Sequence, residues 1–261
     1  MGTSEAARKG ALARMRLYGN PGTAEGRRLG GLRSVAAQQK KPKPNGFVVL
    51  RPIPFPRESV LLAELLGIVA GDGHIDTYQT SVSTNSETDL DHALYVKALF
   101  ERLFPIRASF SFRSDCKACV VVVNSKNIGD ILVKKGMIRG HKIRGGLRMP
   151  EWIVARKKYR LAFIRGVFDT DGCIYTDHHT IRGRLYENLG MAFTNRSLPL
   201  LLDFKDTLES IGLHPTQKTK YTVFLRREKD IKTYFEVIGS SNPKHSQKVK
   251  KYFSHKKGGV G

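Results

Sequence analysis

Two Asp-Gly steps, Asp72-Gly73 and Asp171-Gly172, stand 99 residues apart, each closing an apolar segment. The segments are alike. Leu61–Gly73 parallels Tyr159–Gly172, and placing Gly67 over Gly166 places Asp72 over Asp171. Each reads as a helix, with Gly73 and Gly172 suited to the left-handed terminating position. A carboxylate in the last turn faces the negative end of the helix dipole, which costs about 0.3–1 kcal/mol. If the two helices lie side by side, both carboxylates converge and repel. A hard divalent cation resolves that conflict, taking two carboxylates as oxygen ligands and filling its other positions with water and phosphate oxygens. An Asp-Gly step can also do no more than cap a helix before a strand. Two copies in register favour the metal site.

The same segments carry a reason to pack together. Gly67/Gly71 and Gly166/Thr170 are i, i+4 pairs of small residues, with Ala63 and Ala162 one turn earlier. Interior glycine costs roughly 1 kcal/mol of helix propensity, so a chain that accepts it twice predicts close backbone approach. After each motif come a strand-like stretch, an Asn-containing turn and an amphipathic helix. These are Ser81–Asn85 then Leu90–Phe104, and Met191–Asn195 then Leu198–Ile211. Helical spacing points Leu94, Val96, Leu99 and Leu103 inward in the first helix, and Leu201, Phe204, Leu208 and Ile211 in the second. Two β-rich stretches follow, Ala108–Val123 and Tyr221–Arg226. The expected fold class is α+β, two pseudo-twofold halves over 58–156 and 157–261, preceded by a basic arm over 1–57.

Charge narrows the partner. The 261 residues hold 45 Lys+Arg against 23 Asp+Glu, a net +22, which favours a polyanion and nucleic acid before membrane. No apolar run reaches the roughly 18 residues of a membrane span, and the N-terminus has no apolar signal core. A cytoplasmic, nucleoid or organellar-matrix location is expected, not secretion. Residues 1–57 hold twelve Lys/Arg and two acids. Within them Glu5–Leu12 matches Glu25–Leu32, each readable as two helical turns ending at a glycine. The reading left beside this is a basic tail of nonspecific affinity. Cys116 and Cys119 have zinc-knuckle spacing but no second pair nearby, and read as strand residues. His178-His179 reads as a surface turn and Trp152 as a packing residue.

At these residues the chain resembles the LAGLIDADG homing endonucleases of the single-chain, two-motif kind. Leu65–Gly73 and Ile164–Gly172 match the nine-residue signature, and the resemblance covers roughly 58–255. The blocks 136–142 with 149–153 and 238–245 are also similar. The resemblance implies two αββαββα halves forming a saddle-shaped sheet surface in successive major grooves of a long, non-palindromic DNA site. It implies Mg²⁺-dependent cleavage of both strands by a monomer, with Mn²⁺ or Ca²⁺ able to occupy the same sites, and a role in intron homing. By position, Asp72 and Asp171 would hold metal, with Gly71 and Thr170 beside them. Asn85 and Asn195 stand where such proteins hold water at the metal. Lys142 matches the basic residue that supports the transition state, and Lys248 is its second-half counterpart, with Lys244 close behind. Ala70 departs from the signature's first acid, which Asp169 retains at a helix-interface position.

For DNA contact the strands offer Tyr78, Gln79, Thr80, Ser81, Arg107, Arg113 and Lys117 in the first half, and Arg182, Arg184, Lys218, Lys220 and Arg226 in the second. Such side chains read base edges or touch phosphate. The competing readings are an intron RNA maturase or a DNA-binding regulator that kept the scaffold, and a nonspecific basic binder. Intact acids in both motifs favour the nuclease. A splicing intein is disfavoured by a Met1 start and the absence of a His-Asn pair at Val260-Gly261.

Overall fold

The computed structural model describes residues 4–20, 22–40, 50, 52–113 and 116–258. They form two compact units, Met1–Arg51 and Pro52–Gly261. In the first, α1 (Ser4–Tyr18) and α2 (Ala24–Gln39) are joined by a tight turn. Gly19 takes φ +77°, the Asn20 side chain accepts from Gly22 N at 2.9 Å, and the Thr23 hydroxyl accepts from Gly26 N at 3.0 Å. Both helices run straight through Gly10 and Gly30, where the repeat predicts an end. Alanine-rich flanks carry the helix past one glycine at a cost of roughly 1 kcal/mol. The proline- and lysine-rich stretch 41–46 and the apolar stretch 47–49 lie outside the described residues. Ile53 packs against the core of the second unit.

The second unit repeats one architecture. Its first half is α3 (Val60–Asp72), β1 (Gly73–Ile75), β2 (Thr80–Asn85), α4 (Leu90–Leu103), β3 (Ser109–Phe112), β4 (Ala118–Val123) and α5 (Lys126–Lys134). A short α6 (Glu151–Val154) leads to α7 (Lys157–Asp171), β5 (Gly172–Ile181), β6 (Arg184–Thr194), α8 (Leu198–Glu209), β7 (Thr216–Thr219), β8 (Thr222–Leu225) and α9 (Glu228–Val237); α10 (Pro243–Gly258) closes it. The two antiparallel sheets share one strand order, β1-β2-β4-β3 and β5-β6-β8-β7. This is the αββαββα pattern twice.

Local chemistry sets the ends. The Ser59 hydroxyl accepts from Leu62 N at 3.2 Å and starts α3; Ser125 does the same for α5 at Ile128 N. Nine consecutive α3 residues, Leu62 to Ala70, are buried, as expected of a helix apolar on every side. One face of each sheet is buried, through Val82, Cys119, Val121 and Val123 in the first and Met191, Phe193, Val223 and Leu225 in the second. In α4, Val96 and Leu99 are buried as expected, whereas Leu94 is 49% exposed and Ala93 fills the inward position. Trp152 is half-buried, donates to Lys135 O at 3.1 Å and meets Tyr159 edge-on. Cys119 is a buried β4 residue.

α3 and α7 touch backbone to backbone. A Cβ on Gly67 would lie 2.1 Å from Phe163 O, and one on Gly166 would lie 2.3 Å from Glu64 O. Beside this contact runs a polar network. The fully buried Glu64 pairs with Arg165 and accepts from Tyr95 Oη at 2.8 Å and from the Ser241 hydroxyl. Asp169 is buried too, accepting from the Ser240 hydroxyl and from Ser241 N at 2.7 Å. The acid kept at the signature's first position therefore anchors the loop before α10. Burial pushes Asp169 up to about 7, against the bonds from Ser240 and Ser241. Arg165→Met is expected to cost about 3–5 kcal/mol in urea unfolding, because the fully buried Glu64 loses its counter-charge. The double variant Glu64→Leu/Arg165→Met should recover most of that loss; no recovery would show the pair itself to be stabilising.

The halves also brace each other reciprocally. Ser197, at the start of α8, donates to Leu147 O, and Asp203 Oδ2 accepts from Met149 N at 2.7 Å. On the opposite side Asp89, at the start of α4, accepts from Asn242 Nδ2 at 2.7 Å and pairs with Lys244 at 2.7 Å. Each half's outgoing loop thus rests on the N-terminal part of the other half's middle helix.

Candidate active site

The site forms where α3 and α7 end together. A Cβ on Gly71 would lie 1.9 Å from Thr170 Oγ1 and 3.3 Å from Asp171 Oδ2, so the second carboxylate sits against the first helix. Thr170 turns its hydroxyl back to Val167 O at 2.8 Å, leaving the helix contact tight. The terminating glycines differ from expectation. Gly73 and Gly172 are extended, with φ −80° and −92°, not left-handed. Glycine is required there by space: a Cβ would lie 2.5 Å from Val69 Cα in one case and 2.3 Å from Phe168 O in the other.

Lys142 sits at the end of α3, near enough to both acids to feel their charge. Its ammonium donates to Val69 O at 3.3 Å, to Ala70 O at 3.0 Å and to Gly71 O. A cation is therefore bound by the carbonyls at the negative end of α3. Burial pushes Asp72 up to about 6 even though the residue keeps one face open to solvent, and the Asp171 charge pushes the same way, opposed by Lys142. Burial also raises Asp171, opposed by an Asn195 bond and by Lys142. Lys142 is lowered by burial, with both acids opposing. These three groups feel one another's charge.

Asn195 Nδ2 donates to Asp171 Oδ2 at 2.7 Å, while its Oδ1 accepts from Ser197 N at 2.8 Å, so the carboxylate is held at a fixed angle. Its first-half counterpart, Asn85, accepts from Glu87 N at 2.9 Å and Thr88 N at 3.0 Å and shapes a turn. Lys248 donates to Ile174 O at 3.3 Å on β5. Asn242 does on α7 what Lys142 does on α3: its Nδ2 donates to Asp169 O at 3.2 Å, the carbonyl aligned with Ala70 O. Lys244, paired with Asp89, reaches Asp72 only through its field. The structure thus gathers Asp72, Asp171, Gly71, Thr170, Lys142 and Asn195, and ties Asn85 and Lys248 to other partners. The donor set is hard oxygen throughout, which suits Mg²⁺ or Ca²⁺ better than a soft metal. Among the described residues no group of three or more His, Cys, Asp or Glu gathers to hold a metal. A cation here would rest on two carboxylates, helix-end carbonyls and whatever oxygens a bound partner brings.

The sheet faces turned away from the helices are unequal. In the first, that face shows Ser81, Ser83, Val120 and Val122, with His74 opposite Ser81, and the strands place no Lys, Arg, Asp or Glu on it. Tyr78, Arg107 and Arg113 are exposed at its margins, Gln79 bonds Asn124 at 2.9 Å and Lys117 pairs with Glu87 at 2.9 Å. Thr80 is fully buried and faces the core, so it cannot read bases as expected. In the second, Arg182, Arg184, Lys218, Lys220 and Arg226 are all exposed, with Arg226 over Phe224 at 4.9 Å. Sequence reasoning missed Tyr175, whose ring covers Gly190 across the strands. It also placed His178-His179 in a turn, whereas both lie within β5 and the turn is Arg182-Gly183.

A family model described as a LAGLIDADG-like domain matches residues 158–243. Among characterised proteins, the NrdEB alpha subunit of ribonucleoside-diphosphate reductase from Bacillus subtilis (strain 168) is 30% identical over 169 residues, which are 59% of this chain and 15% of that protein. The likeness is to one segment of a much longer protein. Among solved structures, the meganuclease I-SmaMI bound to uncleaveable DNA has a TM-score of 0.50 at 12% identity, covering 74% of this chain and 88% of that one. I-DmoI in complex with DNA and Mn has a TM-score of 0.47 at 16% identity, covering 69% and 97%. At such identities the likeness concerns the fold.

Proposed function

With residues 158–243 a LAGLIDADG-like domain and the preceding half repeating its architecture, we propose that this protein is a site-specific DNA endonuclease. On this reading it breaks both strands of a long, non-palindromic duplex with Mg²⁺ as the working ion and Mn²⁺ able to replace it. One observation carries the reading: two carboxylates stand at the ends of touching helices beside a half-buried ammonium, both raised by burial and Asp72 also by the charge of Asp171. I-SmaMI, which shares the fold and was solved on DNA, supports it.

When bound, a divalent ion would supply Lewis acidity at the phosphate and activation of the attacking water. The protein's own residues do the rest. Asp72 and Asp171 offer the charge that holds the ion. Asn195 fixes the Asp171 carboxylate, and Lys142, anchored by three carbonyls, keeps a positive charge where phosphate negative charge grows. The second-half side carries neutral Asn242 at the equivalent carbonyl, so the charge support is one-sided.

The test is incubation of the full chain with Mg²⁺ and linear duplexes carrying the DNA that flanks its reading frame. A discrete double-strand break, abolished by EDTA and by Asp171→Asn, is the expected result. Cleavage that survives Asp171→Asn rejects the site. Tight RNA binding without DNA cleavage supports the maturase alternative instead.

A further inference from the structure

The two halves reach unequal distances outward from the acid pair. β5 leaves Asp171 and runs for ten residues, paired with β6 from Gly172↔Phe193 to Ile181↔Arg184. β8 pairs with β6 only over Met191–Thr194, so β6 residues 184–190 and their β5 partners form a two-stranded ribbon that runs on beyond β8. In the first half β1 leaves Asp72 for three residues, and β2 is paired with β4 along its whole length. The difference is seven residues of strand, about 23 Å at about 3.3 Å per residue.

This ribbon is built to hold a shape. Arg182 at φ 49° and Gly183 at φ 78° close it with a turn whose twist matches the strands. His179 and Tyr186 stand opposite each other and stack at 5.8 Å. From behind, the Tyr252 hydroxyl of α10 donates to Glu187 O at 2.9 Å and also bonds Glu228, which Lys256 holds at 2.6 Å. The face continuous with Tyr175 carries Asp177 opposite Asn188, His179 opposite Tyr186, and Arg184. These are the donor and acceptor types that read base edges, and the major groove admits a two-stranded ribbon.

We propose that this ribbon gives the protein a lopsided target, in which the half-site under the second half is longer than the other by about seven base pairs. The length follows from 23 Å of extra reach at about 3.4 Å per base pair. The inference rests on the endonuclease reading for its partner, duplex DNA, but not for its geometry. Asp177 and Asn188 would specify the inner of the extra positions and Arg184 the outermost, while Tyr252 positions the ribbon and touches no base.

The experiment selects preferred duplexes from a random library with the full chain in Ca²⁺, then maps protection by hydroxyl radicals. Two variants are compared with the parent: residues 178–187 replaced by a two-residue Asn-Gly turn, and His179→Ala/Tyr186→Ala/Arg184→Ala on the intact ribbon. The parent should protect about seven more base pairs on one side of its centre. The shortened chain, which drops residues 178–181 and 184–187 but keeps Asp177 opposite Asn188, should lose only the outer part of those positions, about four base pairs. The triple variant should keep the protected length but lose base preference at those outer positions alone. Equal arms in the parent, or an unchanged footprint in the shortened chain, overturn the proposal. A lopsided footprint with no cleavage in Mg²⁺ leaves this inference standing and removes the endonuclease reading. Absence of any preferred duplex removes both.

Discussion

Asp72→Asn is expected to reduce DNA cleavage at least about 10³-fold while making the metal-free protein more stable at neutral pH. The first effect follows from losing one of the two charges proposed to hold the ion, since about 4 kcal/mol of transition-state stabilisation is a factor of about 10³. The second follows from the shift to about 6. An unfolded aspartate releases its proton near pH 4, so between pH 4 and 6 the folded chain binds more protons than the unfolded one. Stability therefore falls as pH rises through that window, and the penalty is complete above about 6. The shift alone corresponds to about 3 kcal/mol. Asp72 keeps one face in water, which screens this to about 1 kcal/mol, or about 2–4 °C in melting temperature for a chain of this size. Melting curves in EDTA at pH 7.5 should show the variant above the parent, and millimolar Mg²⁺ should stabilise the parent alone. At pH 4 the difference should vanish. A variant that melts lower in EDTA at pH 7.5 would show that the carboxylates do not strain one another. The parent's remaining loss of stability toward pH 7 belongs to Asp169 and Asp171, both raised by burial, and Asp169→Asn should reduce it.

Gly67→Ala is the second large effect, and its sign is the informative part. In an isolated helix alanine improves on glycine by about 1 kcal/mol. Here the added methyl would lie 2.1 Å from Phe163 O and 3.0 Å from Val167 N, both backbone atoms of α7 that cannot rotate away. The helices must part, and everything set by their contact moves with them: the packing of Gly166, the Gly71–Thr170 contact and the placing of the two acids. Overpacking of a filled interface costs about 1–3 kcal/mol or more. A loss of at least about 3 kcal/mol in denaturant unfolding is expected, together with loss of cleavage in whatever fraction folds. Stabilisation by the alanine would mean that α3 and α7 are not in backbone contact.

What was legible in the sequence was what repeats. Asp72 and Asp171, with Gly67 and Gly166 one helical turn and more before them, stand in two copies with a common spacing, and period and register alone bring them together. The terminating glycines were legible as glycines but for the wrong reason, because steric closeness to Val69 and Phe168 leaves the same mark as a left-handed φ. The loops were not legible. Lys142 meets α3 carbonyls more than seventy residues earlier, and Asn242 meets Asp169 O at a similar separation, in segments with no periodicity to follow. Nothing local to Glu64 in its apolar helix marks its partner, since Arg165 lies 101 residues away. The reach of β5 was hidden too, though Arg182-Gly183 was the available turn signal and would have moved His178 and His179 into the strand.

The reciprocal bracing has a consequence for anyone recombining such proteins. The loop that ends at Met149 belongs by chain to the first half but by bonding to Ser197 and Asp203, and the loop through Asn242 and Lys244 belongs by chain to the second half but by bonding to Asp89. A chimera cut at the midpoint between motifs therefore carries each strut away from its footing. Hybrids should be joined so that the segment after Gly136 travels with the later half and the segment after Ile238 is matched to the donor of α4, making the units of exchange interlaced instead of consecutive.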